Sequence, residues 1–431
     1  MVRVLALFIK RYFYSFCFPY THCPNTRRQR MKNNTAARWP FLLLSCLTLT
    51  LLNAPPLSAE SNTGITDTQI RIGQSCSLTG PAMGLCKGMR DGAQLYFDFI
   101  NSQGGIHGRQ LKLITEDDAY NPEKCRKNTE SFINDQNIFL LFGYVGTPTT
   151  EAVLPLIQEK NFPLFAPLTG ARIFRYPVIN EVFNIRASYI QETETMVDRL
   201  VKDRGIKKIA VFYQNDSYGT DGLNGVRIAA SKHGIIPSDT VSYNRESPDT
   251  EKAVSQLMKS NPEAVILIAT SEPAAQVIAG MRSAGSEAVF LNVSFVNGED
   301  LAERLINHGI GVVVSQVVPF PFYRRVPLVA EYNQVNSELS PAKQADFAGM
   351  EGFTAAKALS RILSETPAPL TREAFMKSAE LHENTDIGGF SFSFNKERRQ
   401  GSDLVYLTQI GPGGFLRPIE NLNQLYQFHP N

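Results

Sequence analysis

The sequence lacks any pattern of histidine or cysteine that would hold a metal. Its six histidines are scattered without ligand spacing, and none of its six cysteines forms a Cys-x-x-Cys pair, so neither a metal nor another cofactor is expected. There is no Gly-x-Ser-x-Gly elbow, and the glycines of Gly80-Pro-Ala-Met-Gly-Leu-Cys-Lys87 are spaced wrongly for a phosphate loop. The run Glu116-Asp117-Asp118 reads as an acidic strand exit rather than an acid–base pair. No catalytic constellation survives, and the chain is not expected to be an enzyme. Acidic residues are missing altogether before Glu60, where eight Lys or Arg stand. The remainder therefore holds more acid than base, and the formal net charge of +2 is no argument for nucleic-acid binding.

The apolar run Phe41 to Leu52 is too short for a convincing membrane span. It follows the basic Met31-Lys32 stretch and precedes Asn53-Ala-Pro-Pro-Leu-Ser-Ala59, an arrangement that reads as a secretory signal peptide. Residues 1–59 are thus expected to be an upstream extension and signal, with a second plausible start at Met31, and the rest to be exported. Three cysteines lie in the exported part, Cys76, Cys86 and Cys125, which permits one bridge and leaves the pair open.

At 431 residues, with 43% hydrophobic and 19% charged content, the chain is long enough for more than one ordinary folded domain. Its organising stretch runs from Ile138 to Pro155. A continuous apolar run, as of a strand buried on both faces, turns through Gly143, Gly146 and Pro148 into a helix opening at Thr149-Thr150-Glu151. Free backbone N–H groups there, with the hydroxyls of Thr147, Thr149 and Thr150, suit a carboxylate or another polar ligand group. The same threonines also suit plain capping. Strands predicted around Ile70–Ile72, Leu111–Leu113 and Pro163–Pro167, and the extended Glu181–Ser188, complete a five-stranded α/β unit with intervening helices. A second unit of the same grammar follows, with strands at Ile206–Asn215, Ser238–Asn244, Ala264–Thr270 and Ala288–Ser294. After the β-branched run Gly311–Phe320, two helices near Val326–Glu338 and Asp346–Glu365 suggest that the chain crosses back to the first unit. Strands at Gly389–Asn395 and Leu404–Ile410 end the pattern.

Ser77-Leu-Thr-Gly-Pro81, Gly92-Ala93, Phe99-Ile-Asn-Ser-Gln-Gly-Gly-Ile-His-Gly-Arg109 and Asp117-Asp-Ala-Tyr-Asn-Pro122 resemble, in order and spacing, the start of the leucine/isoleucine/valine-binding protein family. These are the type I periplasmic solute-binding proteins of ABC importers, and the resemblance extends from about Ile70 to Ile410. It implies two doubly wound Rossmann-like α/β lobes joined by a three-segment hinge. The lobes fall at 60–186 plus 317–399 and at 187–316 plus 400–431. A monomer is expected, working with an inner-membrane ABC permease in the periplasm.

The resemblance also implies a site. Gly146, Thr147 and Thr150 match the loop that holds a ligand carboxylate, and Leu168, Thr169 and Gly170 the loop after the fourth strand. Ser77 belongs to the first loop, and Leu85 and Phe353 fall where apolar or aromatic side chains meet the solute. Tyr218 matches a tyrosine reaching in from the second lobe. Two positions depart from the family: Ser271 replaces an aromatic, and Ser294-Phe295 stand where amino-acid-binding members carry an acid for the ammonium. Glu272 is a substitute acid, and one of Arg172, Arg175 and Arg186 a partner for an acidic solute, although surface exposure or a hinge salt bridge is the commoner fate of each. The implied function is a receptor closing on a small polar or amphipathic solute, whether amino-acid-like, carboxylate or amide. The rivals are a sensor of the same fold and, less favoured, an enzyme using the cleft.

Overall fold

The computed structural model describes residues 64–428, so the expected signal segment lies outside the described residues. Among the described residues no helix is long and apolar enough to cross a membrane. Strand β1 (Gln69–Cys76) buries Ile70 and Ile72 completely, and β3 (Leu140–Phe142), β4 (Leu164–Phe165) and β5 (Val182–Phe183) are buried on both faces. With β2 (Gln110–Asp117) they form a parallel sheet in the order β2-β1-β3-β4-β5. The unbroken apolar sequence of β3 follows from that double burial.

A second sheet contains β6 (Ile209–Gln214), β7 (Asp239–Tyr243), β8 (Ala264–Ile268), β9 (Val289–Asn292) and β10 (Val313–Gln316). Its parallel part runs β7-β6-β8-β9-β10, the same winding as the first. After a short ladder of β11 (Thr385–Asp386) with β12 (Ser391–Phe392), strand β13 (Tyr406–Ile410) adds to the second sheet antiparallel to β10, and β14 (Leu416–Ile419) pairs antiparallel to β13. The chain passes between the lobes three times: from β5 into the helix Tyr189–Arg204, from β10 into the helix Pro327–Leu339, and from β12 into β13. Both lobes therefore reverse strand order between their first and third strands, where open parallel sheets form a crevice beyond the strand ends.

The structure shortens several expected elements. The run Gly311–Phe320 pairs only over Val313–Gln316, because Val317-Val318-Pro319 already leads out of the sheet. Gly389–Asn395 contributes only Ser391–Phe392. A third helix, Arg372–Ala379, occupies a stretch where none was expected, started by Thr371, whose hydroxyl accepts from the Ala374 N–H at 3.1 Å.

The return to the first lobe is fixed by a glycine seam. Helix Met83–Ser102 lies so close to helix Phe347–Glu365 that a Cβ on Gly92 would stand 1.9 Å from the carbonyl oxygen of Gly349. Cys76 at the end of β1 is bonded to Cys86 in the helix that follows, and Cys125 is buried and free.

Candidate functional site

Loops at the carboxyl ends of both sheets meet in a cleft that is nearly shut. Two residual cavities of about 10 Å³ each remain between the lobes, lined by Leu85, Phe347 and Glu351 on one side and by Ser271, Ser294 and Phe295 on the other.

On the first lobe the loop after β3 turns at Gly146, whose φ of 106° and contact with the Tyr120 ring leave no room for a side chain. The helix it opens is only five residues, Thr147–Glu151, so its offering is hydroxyls rather than a helix field. The Thr147 hydroxyl lies 2.7 Å from that of Thr169, itself buried in the loop after β4. The Thr150 hydroxyl is fully buried and has no partner among the described residues. Leu168 is buried beside them, and Gly170 lets the Tyr189 ring approach: an added Cβ would sit 2.5 Å from it.

Tyr189 opens the first helix of the second lobe and continues an aromatic row. Its ring centroid is 5.4 Å from Tyr218, which is 4.8 Å from Phe295, which is 6.0 Å from Tyr120 of the first lobe. The Tyr218 hydroxyl makes one long bond, 3.4 Å, to the Ala269 carbonyl. The Tyr189 hydroxyl makes no well-formed hydrogen bond among the described residues, with the Thr169 side chain its polar neighbour, and burial pushes its pKa up to about 12, so it stays protonated at neutral pH.

Other expected positions are occupied differently. The Ser77 hydroxyl donates to the Thr79 carbonyl and that of Ser271 to the Val296 carbonyl, so both hold loops in shape. Phe353 stands two residues from the cleft-lining Glu351 and packs between Tyr96 and Tyr332, at 4.9 and 5.2 Å, inside the first lobe. Arg172 is exposed and stacks on Tyr176, whereas Arg175 donates to the carbonyls of Thr169, Ala171 and Arg186 in the first crossing.

Sequence reasoning missed Tyr120. Ala119 and Tyr120 both take left-handed φ, 50° and 58°, held by buried Asp118, which accepts from the Tyr120 N–H at 2.9 Å and from Ser75 at 2.9 Å. Burial lifts the Asp118 carboxyl to about 6. The strained turn thrusts the ring across the cleft. There its hydroxyl accepts from Gln214 Nε2 at 3.3 Å, and the Arg245 guanidinium lies 5.3 Å over its face.

The hinge salt bridge expected as one of the commoner fates of Arg172, Arg175 and Arg186 is found at Arg186, in a buried charge cluster whose carboxylates, Glu192 and Glu351, were not foreseen. Arg186 is 1% exposed; its Nη2 lies 3.5 Å from Glu192 and donates to the Ser294 hydroxyl, and its Nη1 lies 3.6 Å from Glu351. Glu192 also accepts from the Ser294 N–H at 2.8 Å and the Ser315 hydroxyl at 2.5 Å. Ser294 is thus the partner of a guanidinium and a carboxylate from the first crossing and the helix after it. The signal for Glu192 was present: it shares the buried stripe Tyr189, Thr193, Met196, Val197, Leu200 of its helix.

A family model described as periplasmic binding protein matches residues 69–414. A possible leucine/isoleucine/valine-binding protein from Rhodopirellula baltica SH 1 is similar with a TM-score of 0.79 and 30% identity, over 84% of this chain and 98% of that one. A substrate-binding periplasmic protein from Ralstonia solanacearum gives 0.77 and 30%, over 81% and 100%. Leu/Ile/Val-binding protein homolog 3 of Brucella melitensis is 25% identical over 57% of this chain, which spans 60% of that relative's length.

Proposed function

Because the chain belongs to the periplasmic binding protein family, we propose that it is the solute receptor of an ABC-type importer, exported to the periplasm and without catalytic activity. It closes lobes 60–186 plus 317–399 and 187–316 plus 400–431 on a small polar or amphipathic solute and presents the closed form to an inner-membrane permease. The observation that carries this reading is the convergence of buried, under-partnered polar groups and an aromatic row from both sheets' carboxyl ends, across three chain crossings. A ligand shifts such an equilibrium only if it touches both lobes. Thr147, Thr150, Thr169 and Gly170 serve from one side, and Tyr218 and Phe295 from the other, with Ser294 tying that wall to the hinge cluster, Gly146 and Leu168 shaping the loops and Leu85 the mouth.

The test is mass spectrometry of small molecules released on denaturing protein purified from a periplasmic extract, followed by calorimetry with the recovered solute. A stoichiometric solute that rebinds in the micromolar range or tighter is expected. Recovery of none, or chemical conversion of the solute on rebinding, would defeat the receptor reading.

A further inference from the structure

The buried polar side chains around the cleft that lack a hydrogen-bond partner among the described residues are mainly donors. Thr150 Oγ1, Tyr189 Oη, Arg186 Nε and Nη1, and Arg245 Nη1 are buried without such a partner, although Arg186 Nη1 lies 3.6 Å from Glu351 and Arg245 Nη1 3.6 Å from Asp216; the Asn292 amide at the end of β9 is unpartnered as well. The arginine nitrogens can only donate, and the two hydroxyls are free to do so. Thr150 and Tyr189 are 0% exposed and Arg186 1%, so water does not relieve them at the surface. Leaving such donors unmet inside a protein is costly, and an acceptor on the solute removes that cost on closure.

The acids around the cleft are, by contrast, mostly occupied. Asp216 accepts from the N–H groups of Tyr218 and Gly219 and from Gln214 Nε2, and lies 3.6 Å from Arg245. Asp221 accepts from the Arg172 N–H across the lobes at 3.1 Å. Glu192 holds Ser294, Ser315 and Arg186. Glu299, beside the Asp346 carboxyl, accepts from the Phe347 N–H at 3.2 Å, and the Glu351 side chain has no hydrogen bond among the described residues, with Arg186 standing 3.6 Å from it. Burial raises the Glu351 carboxyl above the ordinary range, against the opposing pull of Arg186. An ammonium placed there would share one weakened carboxylate with a guanidinium already in place, at a large desolvation cost.

Resting on the receptor reading above, we infer that the solute is a carboxylate that carries no ammonium, received by the hydroxyls of Thr150 and Tyr189 and by the Arg186 guanidinium, whose Nε is unpartnered, with Arg245, held by Asp216 only at 3.6 Å, supplying a second positive charge from the other lobe. The aromatic row Tyr189, Tyr218, Phe295, Tyr120 gives it an apolar body to lie against.

The experiment uses the exported chain stripped of bound small molecules and a thermal-shift panel confirmed by calorimetry. The probes are aliphatic monocarboxylates of four to eight carbons, benzoate, succinate, glutarate, the twenty amino acids, acetamide, urea and putrescine. The expected result is that an ammonium-free carboxylate binds at least tenfold more tightly than any amino acid, amide or amine. Arg245→Gln, at a partly exposed position that leaves the hinge intact, should then weaken it by ten- to fiftyfold, and Glu351→Gln by less than threefold. An amino acid, amide or amine binding more tightly than every carboxylate overturns the inference and leaves the receptor standing, as does an Arg245→Gln affinity within twofold of the parent. A panel in which nothing binds, together with no molecule released on denaturation, removes both.

Discussion

Tyr120 is the residue through which the first lobe grips the second, and Tyr120→Leu isolates that grip while keeping an apolar side chain of useful volume. The change removes three interactions that exist only when the lobes are together. The hydrogen bond from Gln214 at 3.3 Å contributes about 0.5–1.5 kcal/mol. The Arg245 guanidinium over the ring contributes about 0.5–1 kcal/mol. The ring pair with Phe295 at 6.0 Å contributes about 0.5–1.5 kcal/mol. Contributions from one cluster are not independent, so a combined loss of roughly 2–3 kcal/mol is the working figure, or roughly a 30- to 150-fold weaker solute affinity at 1.4 kcal/mol per decade. Calorimetry on the variant and the parent with the recovered solute reads that number. Thermal unfolding without solute should move much less, because the contacts cross between lobes rather than hold one together. An affinity within threefold of the parent would refute the assignment of Tyr120 to closure.

Removing the Cys76–Cys86 bridge by Cys76→Ser with Cys86→Ser frees a loop closed across ten residues, at a chain-entropy cost of about 2–3 kcal/mol; a melting temperature unchanged under oxidising conditions would contradict this. Gly92→Ala forces a methyl group to within 1.9 Å of the Gly349 carbonyl and should destabilise the first lobe by about 1–3 kcal/mol in denaturant unfolding, despite alanine's better helix propensity. A stabilised variant would mean the two helices are free to separate. Glu299 of the second lobe accepts from the Phe347 N–H at 3.2 Å across the cleft, and burial with the nearby Asp346 carboxyl pushes its pKa up to about 7. A raised acid pKa in the closed form means that closure takes up a proton between the ordinary carboxyl value and about 7, so affinity should rise as pH falls from 8 toward 5. Glu299→Gln should flatten that slope in calorimetry, and an identical slope in the variant would place the proton elsewhere.

The fold was legible because each lobe spells itself out locally. Apolar runs ending in glycine mark strands buried on both faces, and the helix faces of Met83–Ser102 and Phe347–Glu365 carry their own periodicity. The threonine and glycine loops after β3 and β4 were legible for the same reason: turn chemistry is a short-range property. What stayed hidden depends on residues far apart in the chain. Tyr120 meets Gln214 across 94 positions, and Arg186 meets Ser294 across 108, distances over which no local pattern speaks. Charged side chains are usually solvated, which is why Glu192 and Glu351 passed unnoticed although each sits on a buried helix stripe. Phe353 was placed at the cleft by resemblance, but its helix turns it toward Tyr96 and Tyr332, while Glu351 takes the cleft side. The disulfide could not be chosen from three cysteines because pairing is a matter of where the end of β1 meets the next helix.

The most direct test of the receptor reading is small-angle X-ray scattering of the exported chain, stripped of bound molecules and then titrated with the solute recovered from it. The expected result is a saturable fall in the radius of gyration that tracks the calorimetric binding curve and is lost or shifted to higher concentration in Tyr120→Leu. A radius unchanged by a solute that calorimetry shows to be bound would contradict closure of the two lobes as the working motion.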